Sequence, residues 1–119
     1  MSQDLSPGDF LVFQLEAGYG LLRLLAVDIS DNEKVWHLAA YSDLFPDVDS
    51  AEASAKAADG LKVGHPHLAL TDRAFESTQV ARIANEPLSE AMISDLRAWR
   101  ASDGRSVSDR SVRLLLGLR

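Results

Sequence analysis

Apolar and polar positions alternate along residues 10–16. Leu11, Phe13 and Leu15 fall on one face, while Phe10 and Val12 share the other with Gln14 and Glu16. A period of two in bulky residues predicts a strand. Pro7-Gly8-Asp9 forms a turn signal before it, and Ala17 to Gly20 supply a glycine-rich hairpin after it. Residues 21–27 return with only Arg23 interrupting an apolar run, the pattern of a strand covered on both faces. A polar turn at 29–33 leads to a third strand over 34–41. There Trp36, Leu38 and Ala40 face one way, and Val35, His37, Ala39 and Tyr41 the other.

Beyond Tyr41 the period changes. Residues 42–49, with Pro46 and three aspartates, read as a loop, and Asp49 and Glu52 have capping-box spacing before an alanine-rich helix over 50–58 that Gly60 ends. Residues 61–66 read as a connector, 67–70 as a fourth strand, and 71–75 as a helical turn capped by Thr71 or Asp72. A fifth strand follows over 78–84. Leu88, Met92, Leu96 and Trp99 then recur at helical spacing. Residues 101–108 form a linker broken by Gly104, and the last segment reads equally as a helical turn or an edge strand. Its Val112, Leu114, Leu115, Leu116 and Leu118 need covering, either by this chain (a monomer) or by a second copy (a homodimer). The expected architecture is α+β: a small SH3-like, partly open antiparallel β-barrel with helical insertions and a C-terminal helix. It forms one domain over 1–119, with a core over 6–100 and an extension over 101–119.

Composition narrows the class. With 119 residues, 46% hydrophobic and 25% charged, the chain is long enough for one self-sufficient core. It contains no cysteine, so disulfides, thiol catalysis and thiolate metal sites are excluded, and a reducing cytoplasm fits. The opening MSQDLSPGD has neither a basic region nor an apolar core, so no signal peptide is expected. No run has the length to cross a bilayer. A net charge of −6 disfavours nucleic acid as a partner, because phosphate contacts require excess cations. The charge is also uneven. Asp28, Asp31, Glu33, Asp43, Asp47, Asp49, Glu52 and Asp59 face only Lys34 and Lys56 in the middle, whereas four arginines face Asp109 alone from Arg105 onward. An acidic rim of this kind suits a basic protein partner, with Tyr41, Asp43, Asp47, Asp49 and Glu52 as candidate contacts.

Candidate chemistry is sparse. His65 and His67, two apart, share a face if they lie on a strand, and Asp72 or His37 would complete a metal set for a metal-assisted hydrolase. Pro66 makes the same spacing a turn as readily. No G-x-S-x-G nucleophile motif occurs. Gly18-Tyr19-Gly20 lacks the lysine and downstream helix of a phosphate loop. Carboxylates such as Asp47 and Asp49 would do acid–base work only if burial raised one of them. Tyr19, Trp36 and Tyr41, with Arg23 and the arginines near the C-terminus, form the alternative of a base-stacking nucleic-acid platform on a small barrel. No cofactor is expected.

Two blocks carry a resemblance. Pro7-Gly8-Asp9-Phe10 before an apolar strand, then Gly18-Tyr19-Gly20 before a strand carrying Arg23, resembles the opening of the immunity protein twenty-six family. PHLALTDRAFESTQVARIANEPLSEAMI, beginning at Pro66, is similar to that family's later layout. The likeness spans residues 6–93. Val80 and Ala84 stand where members carry tryptophan and glycine. The resemblance implies a small cytoplasmic protein, not an enzyme, that neutralises a cognate toxin of a bacterial polymorphic-toxin system. It implies no catalytic set.

Overall fold

The computed structural model describes residues 5–57 and 60–117. The first three alternating segments form a meander of β1 (Asp9–Leu15), β2 (Gly18–Ser30) and β3 (Glu33–Tyr41). After α1 (Val48–Ala57) come β4 (Val63–Thr71), α2 (Asp72–Glu76), β5 (Val80–Asn85), α3 (Glu90–Ala101) and α4 (Val112–Leu116). All pairings are antiparallel, and the order across the sheet is β4-β3-β2-β1-β5.

The α+β class therefore stands, but the sheet is open. The chain crosses from one edge to the other after β4, and β5 pairs with β1. Among the described residues no ladder joins β4 to β5, so the sheet is not closed into a barrel. Each face is instead covered by helices. Leu11, Phe13, Leu22, Leu24, Trp36, Leu38 and Leu70 pack against Ala74 and Phe75 of α2 and Val112 of α4. On the other face Phe10, Leu21 and Tyr41 pack with Ala55 of α1, and Leu25 and Ala39 pack with Leu96 of α3. The sheet is thus the middle layer of three.

Local chemistry sets the turns. The β2–β3 turn is only Asp31 and Asn32, at φ 48° and 68° between the paired Ser30 and Glu33. Two positive φ values make it the hairpin turn whose twist matches the strands. Gly20 lies under the Phe13 ring, where a Cβ would come within 2.4 Å of it. A β-bulge at Leu25 places Leu25 and Ala26 on the α3 side and turns Val27 to the other face. Strand phase after that point is inverted.

Several boundaries differ from expectation for identifiable reasons. β4 begins at Val63 rather than His67, because Gly64 and Pro66 sit on an edge strand where a missing N–H costs no ladder bond. Asp47, not Asp49, caps α1, its Oδ1 accepting the Ser50 N–H at 2.7 Å. The expected last helical residue Ala58, together with Asp59, Leu118 and Arg119, lies outside the described residues. The C-terminal segment is a helix, α4. It docks on its own chain through buried Val112 and half-buried Leu115 and Leu116, while Leu114 is exposed. Before α4, Ser108 pairs with β4: Thr71 N–H donates to Ser108 O at 3.0 Å and Ser108 N–H to Ala69 O at 2.8 Å. Among the described residues no helix is long and apolar enough to cross a membrane.

Candidate functional site

The acidic loop between β3 and α1 is held at several points. Ser42 N–H donates to Lys62 O at 2.7 Å, and Asp43 Oδ2 accepts the Lys62 N–H at 2.6 Å. Phe45 and Tyr19 exchange both backbone bonds, at 2.8 and 2.9 Å. Asp47 ends the loop as the α1 cap, and its two bonds with Ser50 hold its carboxyl below the usual range. A lowered carboxyl is the opposite of what proton transfer at neutral pH requires. Glu52 pairs with Lys56 one turn on, at 3.2 Å. Between these anchors Leu44 is 55% exposed and Val48 37% exposed, with Asp49 exposed beside Val48. Of the expected contact residues, Asp43, Asp47, Asp49 and Glu52 belong to this loop and the helix it enters. Tyr41 is buried, its ring stacked 6.0 Å from that of Phe10, so it supports the loop from beneath.

The histidines gather differently from the expected metal set. His37 is fully buried. Its Nδ1 lies 2.9 Å from His67 Nε2, and its Nε2 lies 2.9 Å from Asp28 Oδ2. Arg100 Nη2 donates to the other oxygen of Asp28 at 2.6 Å. Trp99 meets the His37 ring edge-on at 4.8 Å and donates from Nε1 to Ser106 O at 2.9 Å. His65 is exposed and stands opposite Ala40, because a register shift in β3–β4 separates it from His67. Asp72 lies on the opposite face, where its Oδ1 accepts from Trp36 Nε1 at 2.8 Å. The set His65, His67 and Asp72 is therefore not assembled. Among the described residues no group of three or more His, Asp or Glu side chains is placed to hold a metal ion.

Charges in this cluster settle its protonation. Partial burial raises Asp28, but the bonds from Arg100 and His37 outweigh it and leave the carboxyl below its ordinary range. Burial lowers His37 despite its bond to Asp28. Burial and the neighbouring His37 lower His67, with Asp95 pulling weakly the other way. An ionised Asp28 fixes the proton of neutral His37 on Nε2. Nδ1 of His37 is then an acceptor, and His67 donates to it from Nε2. Among the described residues neither imidazole bonds to a hydroxyl, so the relay ends without a nucleophile.

The stacking platform is also absent. Trp36 is buried and stacked on Phe75 at 4.0 Å, and Arg23 is buried on the other face. Sequence reasoning missed Asp28 and Trp99 as partners of His37, and Arg100 as the partner of Asp28, since Asp28 reaches that face only through the bulge at Leu25. Comparison with family models, with curated proteins and with solved structures finds no match for this chain.

Proposed function

We propose that this chain is a non-catalytic protein-binding module of the immunity type, acting in the cytoplasm. It would occlude a basic partner such as a nuclease-like toxin domain with the loop centred on Leu44. The observation that carries this reading is Leu44 itself, an exposed apolar side chain on a loop anchored to β2 and to Lys62. Solvent-facing apolar groups on pre-set backbone reduce the ordering cost of association. Carboxylates around them steer a cationic partner and raise the rate of encounter. The layout likeness of residues 6–93 to immunity proteins supports the same reading.

The test screens the products of the genes neighbouring this one for a basic toxin domain that binds the chain. Purified wild type binds it with an affinity that falls as salt rises. The double variant Leu44→Arg, Asp49→Lys, folded by circular dichroism, loses at least about tenfold. Equal binding by the double variant, or no binding by wild type, overturns the reading.

A further inference from the structure

Arg23 is an unusual resident of a sheet interior. Its side chain is 6% exposed, yet no carboxylate pairs with it among the described residues. Its compensation comes from neutral groups. Nε donates to Gly8 O at 3.0 Å, and Nη2 donates to Glu86 O at 2.7 Å and Pro87 O at 3.3 Å. The guanidinium carbon lies 4.0 Å from the Phe10 ring centroid. A guanidinium has five N–H groups. Three are thereby served, and the two on Nη1 have only Tyr41 Oη, at 3.5 Å, the outer limit of a hydrogen bond.

Beside that under-served end is a cavity of about 430 Å³, within the size range of small-ligand pockets. Phe10, Tyr41, Leu61, Val63 and Met92 give it apolar walls around the single buried cation, and Glu86 stands at its mouth. A buried charge without a counter-charge is costly, and an anion placed on it recovers more than it would in water.

We infer that the Arg23 cavity binds a small monocarboxylic acid with a compact aromatic or branched aliphatic body. The carboxylate accepts from Arg23 Nη1 and from the Tyr41 hydroxyl, and the body occupies the space between Leu61, Val63 and Met92. A planar carboxylate matches the guanidinium fork. A phosphate-headed or polyanionic ligand fits poorly, because the walls beyond Arg23 are apolar and Glu86 repels excess charge. This site is separate from the Leu44 loop and does not depend on the proposal for that loop.

Benzoate, phenylacetate and isovalerate are titrated into the isotopically labelled full chain, with benzamide and benzyl alcohol as uncharged controls. The acids shift the Arg23 side-chain and Met92 methyl resonances saturably, and benzamide binds at least about tenfold more weakly. Arg23 also fastens β2 to Gly8 and Glu86, so its removal risks the fold. The informative variants lie at the rim. Val63→Trp fills the cavity and abolishes the shifts. Glu86→Gln removes the repelling charge and tightens binding a few-fold, as rim charges do. Equal binding of benzamide and benzoate overturns the inference. So do shifts that map away from Arg23, unchanged binding by Val63→Trp, or no saturation by any acid at millimolar concentration.

Discussion

His37 Nδ1 and His67 Nε2 lie 2.9 Å apart with their rings 17° from parallel, and both imidazoles are held neutral. The pair joins β3 to β4 on the side covered by α3. In the unfolded chain both histidines take up protons near the ordinary value of 6.5. In the folded chain they resist until the pH is lower. The unfolded state thus binds more protons just below pH 6.5, and stability falls as pH falls through that window. Urea midpoints measured from pH 8 to pH 5 show this decline. His67→Asn, whose amide can still donate to His37, has a shallower one.

Asp28 holds both His37 and Arg100, linking β2, β3 and α3. Asp28→Asn replaces an ionised acceptor with a neutral amide and weakens both bonds. The expected loss is about 2 kcal/mol in urea unfolding. Because Trp99 packs on His37, its fluorescence in the native state shifts as well.

Gly20 admits the Phe13 ring. A methyl there would stand 2.4 Å from the ring tip, so Gly20→Ala forces Phe13 from its place in the core. Overpacking of this kind costs about 1–3 kcal/mol, measured as a lowered Tm.

Asp47 separates a capping role from a contact role. Asp47→Ser keeps an oxygen for the Ser50 N–H and retains stability, whereas Asp47→Ala loses about 1 kcal/mol. Both remove the charge, so both weaken association with a basic partner alike. The comparison needs only thermal melts and the binding assay already described.

Val112 is fully buried among the side chains of the α2 face. Val112→Ala is expected to cost about 2 kcal/mol. An unchanged urea midpoint would mean that α4 does not dock in solution as it does here.

Much of the fold was legible because β1 and β3 alternate without error. Leu11/Phe13 and Trp36/Leu38 pack together on one face, and Phe10 and Tyr41 lie on the other, as their alternation predicts. The helical stripe through Met92 and Leu96 likewise packs inward. Less was legible where local rules meet tertiary context. Gly64 and Pro66 look like strand breakers, but an edge position tolerates them. Asp28 falls on the wrong face by simple alternation, and only the bulge at Leu25 brings it to His37. Arg23 interrupts an apolar run in the sequence, and only the backbone carbonyls brought by the Gly8 turn and the Glu86–Pro87 link make it an interior residue. Whether the β4 and β5 edges approach each other leaves no mark in the strand pattern itself, so the open sheet was not legible.

The short parallel bridge at Ser108 occupies backbone groups of Ala69 and Thr71 that would otherwise face water. Unpaired strand edges recruit strands from other molecules. Here the chain's own tail blocks that recruitment along half of β4, leaving Val63 to Pro66, with its proline, as the open stretch. The tail therefore covers that half of the β4 edge, and a protein cut after Gly104 is expected to expose it.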